Sequence, residues 1–322
     1  MRNNSNWGIL LICLLINGCI SKGKLGDQLP KLVSLTADSI SIPPVLLSVT
    51  RLFVANDMLV TYEQRRDTLF SFWSLPHCDY LFSAGTKGQG PYEFLMLDRT
   101  FSETSQGFKL FELASNKVKE VVVDAAGTFK VVVDKQLNVE ERGLNRFLFL
   151  ENGRYCFISD KEESEFVLLD EEENLTYFGI YPDGILAKKD GELNRFVYNK
   201  LTVANPKGDK FASFYSYMKC CRIYNSKGDM LAETMVERPK TIESGERYVY
   251  YSSFPYADNE SIYLLTNEKD STVLEGWNWE GVLTARYLLD KPVYCLAVQS
   301  KQKKVYALCK DKESVIYTFD IP

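Results

Sequence analysis

The sequence predicts an all-β fold, a six-bladed β-propeller whose last blade is completed by an amino-terminal strand. Three observations carry that expectation. Short apolar or alternating runs of four to eight residues fill the chain from Leu32 onward, and long stretches with apolar residues at i, i+3, i+4 and i+7 are missing. Aromatic content is high, with 19 Tyr, 19 Phe and 4 Trp, and aromatic side chains fit strands. A short phrase recurs at the interval of one propeller blade.

The runs include Met58–Tyr62, Leu69–Trp73, Lys109–Phe111, Val118–Val123, Phe129–Val133, Phe147–Leu150, Phe166–Leu169, Ile262–Leu265 and Val305–Leu308. Gly, Asn, Asp and Lys clusters separate them, which is turn chemistry between strands. Only Asp134–Asn145 reads as a short helix.

The recurring phrase is an aromatic or aliphatic strand, then Asp or Asn, two residues, and Gly. It occurs at Asp124–Gly127, Asn225–Gly228 and Asn278–Gly281, with a degenerate copy at Asp170–Asn174. In that copy Asn174 is expected to take the left-handed conformation that glycine supplies elsewhere. Phe70–Pro76 reads as the first copy with its turn replaced, and Thr318–Asp320 as the last, truncated. The intervals are about 46, 55, 53 and 42 residues, which bracket the roughly 40–50 of a four-stranded blade. Six copies make six blades. Each phrase is expected to be the hairpin between the third and outermost strands. The last blade can supply Val293–Ala297, Val305–Leu308 and Val315–Phe319, so its fourth strand is expected from Leu32–Ile42. Such closure hides a strand edge.

Ahead of the propeller, expected over 31–322, stand an export signal over 1–18 and a tether over 19–30. Arg2 supplies positive charge, and Ile9–Ile16 is an apolar run of eight residues. That is far short of the roughly 20 needed to span a bilayer but fits the core of a secretory signal. The ending Leu15-Ile16-Asn17-Gly18-Cys19 resembles a lipobox, which implies diacylglycerol on the Cys19 thiol and cleavage before it. Two or more acyl chains would anchor the protein stably. The alternatives are an ordinary signal with an incidental cysteine, or an uncleaved anchor. The short, polar, glycine-containing stretch Ile20–Pro30 reads as the tether. Residues Ser21–Lys24 do not resemble the acidic surface-export signal of some Bacteroidota lipoproteins, so an outer-membrane anchor facing the periplasm is expected.

Between the first two repeats lies Gly85-Thr86-Lys87-Gly88-Gln89-Gly90-Pro91-Tyr92-Glu93-Phe94. It resembles the Gly-x-x-Gly-Gln-Gly-Pro-x-Glu-Phe phrase of the TolB-like, NHL-like six-bladed propeller lipoproteins of Bacteroidota. Tyr92 departs from the glycine common there. The resemblance implies a propeller behind a lipid anchor and no particular enzymatic activity. Read from the residues, Gly85, Gly88, Gln89, Gly90, Pro91, Glu93 and Phe94 form a compact inter-blade crossing with a buried Phe94. The functional alternative is an anion-binding nest of backbone N–H groups.

Composition and spacing exclude several chemistries. At 322 residues the chain could hold one large domain or two ordinary ones, with 45% hydrophobic residues for a core. The net charge is −5 and no dense Lys/Arg run occurs, so nucleic-acid binding is not expected. His77 is the sole histidine, which excludes H-E-x-x-H zinc sites. It lies beside Cys78 in an expected turn, and adjacent strand residues point to opposite faces. No C-x-x-C pair or calcium loop occurs, so no metal and no cofactor beyond the Cys19 lipid are expected. Cys220–Cys221 could form a vicinal disulfide or two buried thiols, and Cys295 and Cys309 fall on adjacent expected strands.

The strongest hint of binding is aromatic. Tyr248, Tyr250, Tyr251, Phe254 and Tyr256 cluster near Arg247, and Phe211, Phe214, Tyr215 and Tyr217 precede Cys220. Aromatics with a polar tip suit protein interfaces and glycan stacking. The competing reading has them filling the space between blades. The functional expectation is a non-enzymatic envelope protein binding a protein or envelope component through loops at the channel mouth. The alternative is a glycan- or small-molecule-binding module, or a hydrolase or lyase, with its site at that mouth.

Overall fold

A computed structural model describes residues 29–322 except 44, 45, 47, 91, 140–145, 183, 243, 244, 269, 270, 311 and 313. Two strands, β1 (Leu32–Leu35) and β2 (Asp38–Ser41), precede the repeating part. Blade one holds β3 (Arg51–Ala55), β4 (Met58–Tyr62), β5 (Thr68–Ser74) and β6 (Tyr80–Thr86). Blade two holds β7 (Ser102–Thr104), β8 (Gly107–Glu112), β9 (Lys117–Val123) and β10 (Phe129–Gln136). Blade three follows with β11 (Leu148–Phe149), β12 (Tyr155–Ile158), β13 (Phe166–Leu169) and β14 (Leu175–Phe178). The one-turn helix α1 (Asn194–Val197) then leads to blade four, β15 (Lys200–Ala204), β16 (Lys210–Tyr215), β17 (Lys219–Asn225) and β18 (Met230–Glu237). Blade five is β19 (Tyr256–Ala257), β20 (Ser261–Glu268), β21 (Ser271–Asn278) and β22 (Leu283–Leu289). Blade six is β23 (Val293–Gln299), β24 (Lys304–Cys309) and β25 (Val315–Asp320).

Each blade is an antiparallel meander, and the six together form a six-bladed β-propeller. β2 pairs antiparallel with β25 from Asp38↔Thr318 to Ser41↔Val315, so the amino-terminal segment completes blade six as expected. β1 does something the sequence did not announce. It adds a fifth, parallel strand to blade five along β22, from Leu32↔Arg286 to Leu35↔Leu289.

Six apolar clusters lie one at each interface between neighbouring blades, and a seventh packs Tyr181, Val197 and Tyr198 of the 179–199 crossing onto blade four. β3 shows why its strand reads as an unbroken apolar run: Phe53 and Ala55 pack toward blade two, whereas Leu52 and Val54 pack toward blade six. A strand sandwiched between blades has two dry faces, so alternation vanishes. The remaining interfaces hold Phe111 with Phe147, Phe166 with Phe211, Phe214 with Trp277, and Leu274 with Phe319. Phe211, Phe214 and Tyr215 of the second aromatic group are fully buried.

The repeated phrase is the expected hairpin. Asp124 Oδ1 accepts from the N–H groups of Ala126 and Thr128 (2.9 and 3.0 Å). Asp170 takes the same two positions at Glu172 and Asn174, Asn225 at Lys227 and Asp229, and Asn278 at Glu280 and Val282. Gly127, Gly228 and Gly281 then turn the chain at φ between 76° and 95°. In blade three the expectation fails in detail: Glu173, not Asn174, is left-handed, at φ 63°. The left-handed residue is the third after the Asp, whereas Asn174 is the fourth and spends its N–H on Asp170. The helix expected from Asp134 is also corrected. Asp134–Gln136 continue β10 against Lys117–Lys119, and 140–145 lie outside the described residues.

Antiparallel order places the loops on two faces. One, the crossing face, carries the long links between blades, including 87–101, 137–147, 179–199 and 238–255. The opposite, the hairpin face, carries the recurrent Asp/Asn turns.

Candidate functional site

The innermost strands line the central channel, and the crossings meet at its mouth. Arg51, the first residue of β3, is buried in the channel wall. Its terminal nitrogens donate to the carbonyls of Phe254 (3.1 Å) and Pro255 (2.8 Å), and its Nε is buried with no acceptor. Burial lowers its pKa from the ordinary guanidinium value, although an arginine stays charged. The Phe254 ring lies 5.4 Å from the Arg51 guanidinium and 4.6 Å from that of Arg146, so it joins the two cations. Arg146 Nε donates to the Lys200 carbonyl at 3.3 Å. Arg146 is also pulled down by burial, with Asp98 opposing and Arg99 adding to that effect. Arg195, in α1, stacks over Phe196 and has a buried Nε with no acceptor.

Arg146, Ser159, Arg195, Phe196, Asn199 and Lys200 line a basin of about 380 Å³ at this mouth. Lys200 is committed inward. Its Nζ meets Glu165 Oε1 at 2.5 Å, and Arg222 NH1 meets Oε2 at 2.6 Å. Burial pushes Glu165 up, but Lys200 and Arg222 outweigh it and the carboxyl ends below its ordinary value. Arg51, Arg99, Arg146 and Arg195 differ: among the described residues none has a carboxylate within ion-pair distance. Asp98, the acid that acts on Arg146, is held by Thr100 N–H and Oγ1.

The same crossings carry exposed apolar side chains. Ile180 is 82% exposed, Tyr92 74% and Phe196 57%, and Met96, Ile242 and Val249 add to them. Among the described residues, Val282 is the one large exposed hydrophobic residue in a hairpin-face loop. Exposed apolar side chains gathered on one face suit an interaction surface.

Below the mouth a constricted space of about 60 Å³ is lined by Arg51, Phe101, Glu103, Phe149 and Tyr256, among others. Burial pushes Glu103 up to about 7, Asp57 adds to that, and Lys301 opposes it. Glu103 is exposed, beside Asp57 and Lys301 of two hairpin-face turns.

The aromatic residues singled out in the sequence are not brought together as one site. Tyr250 and Tyr251 are buried, donating to the Arg238 carbonyl and to Glu275. Tyr248 donates to the Asn267 carbonyl, and Arg247 makes a two-pronged pair with Glu192, at 2.7 Å on each prong. That pairing holds Glu192 at about 2. Tyr256 lines the channel, and Phe254 lies at its mouth between Arg51 and Arg146.

In the glycine-rich phrase, Gly90 N–H donates to Glu93 Oε2 at 2.7 Å, so the chain's own carboxylate occupies the nest. A Cβ on Gly88 would fall 2.0 Å from that same oxygen, which is why glycine stands there. Gly85 sits at φ 80° against the Phe70 ring, and Gln89 is exposed. Phe94 is fully buried, with Lys119 over its ring at 4.8 Å. Pro91 and Cys19 lie outside the described residues.

The six described cysteines are buried. No disulfide occurs among the described residues, and register gives the reason. Cys220 and Cys221 point to opposite faces of blade four, and Cys295 and Cys309 pack on opposite faces of blade six. His77 is exposed in its turn while Cys78 is buried. No group of three or more metal-ligating side chains occurs among the described residues.

The arginines were missed in the sequence although a signal for them exists. Arg51, Arg99, Arg146, Arg195 and Arg247 follow one another at about 48, 47, 49 and 52 residues, near the blade interval, for five of the six blades. The repeat is invisible to a search for clusters and visible to a search by period.

No family model matches the sequence, and no curated protein does. Solved structures do match. One is a member of the DUF4221 family from Bacteroides vulgatus, at TM-score 0.61 and 8% identity, covering 90% of this chain and 97% of that one. Another is a protein from Bacteroides fragilis whose name describes it as exported, at TM-score 0.56 and 11% identity, covering 93% and 98%. The WD40 repeats of RRP9 match at TM-score 0.50 and 11% identity, covering 90% and 100%. The likeness is one of fold.

Proposed function

We propose that this chain is an exported, lipid-anchored envelope protein that binds an acidic protein partner through its crossing face. The observation that carries the reading is the concentration of exposed apolar side chains on that face, which also carries guanidiniums that have no carboxylate within ion-pair distance among the described residues. An apolar patch with a charged centre is the composition of an interaction surface, and the charge suits an acidic partner. The apolar run Ile9–Ile16 and the lipobox-like ending at Cys19 support export and anchoring to the outer membrane, facing the periplasm. A fold shared with a Bacteroides protein named as exported agrees with that location. Nothing in the site calls for catalysis.

The test is photo-crosslinking in intact cells from position 196 on the crossing face and from position 172 on the hairpin face. A Cys19→Ser chain serves as the anchor control. One envelope protein should be captured from position 196 alone, and should bind the purified chain. Equal capture from both positions, or none from 196, refutes the reading.

A further inference from the structure

The recurring arginines converge. Arg51 and Arg146 share the Phe254 ring, Arg99 acts on Arg146, and Arg195 lines the basin beside Arg146. Arg247 belongs to the same series but is withdrawn onto Glu192. Among the described residues the guanidiniums of Arg51, Arg99, Arg146 and Arg195 have no carboxylate within ion-pair distance, and the Nε of Arg51 and of Arg195 is buried with no acceptor, in a chain whose net charge is −5. Arg51 is buried, Arg146 and Arg195 are half-buried and Arg99 is exposed, and a charge drawn from water is costly unless a counter-ion completes it. The protein's other buried cations are completed: Lys119 by Glu112, Lys200 and Arg222 by Glu165, Lys219 by Glu275. Of the acids near the mouth, Asp98 is held by Thr100 and Glu162 by Lys188 and Asn194, and each acts on a basin arginine only through space, Asp98 on Arg146 and Glu162 on Arg195.

We infer that the basin lined by Arg146, Arg195, Ser159 and Asn199 binds one oxyanion, a carboxylate or a phosphate, presented by the partner. The inference rests on the crossing face being the binding surface and names the chemistry recognised at its centre. Guanidinium N–H groups match the in-plane lone pairs of such an anion, and Ser159 and Asn199 supply neutral groups beside them. Arg51 and Arg99 act at longer range, adding positive potential at the mouth.

The experiment is calorimetric titration of the full-length lipidated chain in neutral detergent with succinate and, separately, inorganic phosphate. Arg195→Gln is the main variant because α1 is a surface turn, and Arg146→Gln is second. Arg154→Gln, on the hairpin face, is the control. Thermal unfolding checks that each variant is folded. Saturable one-to-one binding of either probe, weakened about tenfold or more in Arg195→Gln and unchanged in Arg154→Gln, is expected for the loss of one charge-assisted hydrogen bond. The tighter probe identifies the group as carboxylate or phosphate. Absence of saturable binding by both, or equal binding by wild type and Arg195→Gln, overturns the inference. Crosslinking from position 196 that persists under that result leaves the protein-binding reading standing, so the two failures are distinguishable.

Discussion

The four Asp/Asn hairpins share one backbone and differ in what surrounds their third residue, which makes a graded substitution series. At Gly127 the φ is 95° and nothing lies within 4 Å of an added Cβ. Gly127→Ala should therefore cost only the left-handed strain of an L-residue, about 1 kcal/mol. At Gly228 the φ is 89° and the Cβ would stand 2.9 Å from Cδ2 of Phe178. That ring is wedged among Phe166, Phe211 and Tyr224 and has little room to yield. Gly228→Ala should add an overpacking cost of roughly 1–3 kcal/mol to the same strain. Glu173→Gly runs the other way. It releases about 1 kcal/mol of strain and gives back up to about 1 kcal/mol through the freer unfolded chain. It should leave the protein as stable as before or slightly more so. Urea midpoints followed by the fluorescence of buried Trp73 and Trp277 would rank the three, with roughly 2 °C in Tm per kcal/mol. If Gly127→Ala lost as much as Gly228→Ala, or Glu173→Gly lost more than either, the shared-turn argument would be wrong.

Other outcomes follow from buried charge and buried thiols. Glu165→Gln should destabilise by roughly 3–5 kcal/mol, since Lys200 and Arg222 would be left buried without their carboxylate; a loss below 1 kcal/mol in urea unfolding would contradict this. Because the folded carboxyl of Glu165 lies below its ordinary value of 4.5, its contribution is present above that pH. It is lost as pH falls below 4.5, and Glu165→Gln should flatten that acid limb. Glu103 has the opposite sign: its folded value is raised to about 7, so its contribution is complete below 4.5 and lost as pH rises through 7. A carbon-13 titration of its carboxyl should show a midpoint near 7 that Glu103→Gln removes, and a midpoint near 4.5 would refute the upward shift. Burial pushes Cys78 and Cys220 up to about 12, so neither should react with maleimide in the folded protein, and both should react in urea. Labelling of the folded chain, or a mass two units low at Cys220–Cys221, would count against the buried-thiol assignment.

The hairpins were legible because their chemistry is local. An Asp or Asn oxygen two and four residues behind its donors writes itself into five consecutive positions. The closing strand was legible for a different reason, since blade six had three strands and lacked a fourth. The placement of β1 was not, because Leu32-Val33-Ser34-Leu35 differs little from any short strand and its partner lies about 250 residues away. The mouth was obscured by the same distance. Three of its four guanidiniums come from three crossings and the fourth, Arg51, from the start of β3, and Tyr248–Tyr256 drew notice as a dense aromatic cluster although Tyr250 and Tyr251 are packing residues. Density along the chain reported core, and sparse recurrence reported the surface.

The double clasp of β1 on blade five and β2 on blade six also sets an order of events. β2 has no partner until Val315–Asp320 exist, and β1 none until Leu283–Leu289 do. Until then the earliest strands leave their backbone groups unpaired, and closing so long a loop is the slow kind of step. A chain delivered amino terminus first must therefore keep its beginning extended while four blades assemble behind it. The strand made first is among the last to find its place.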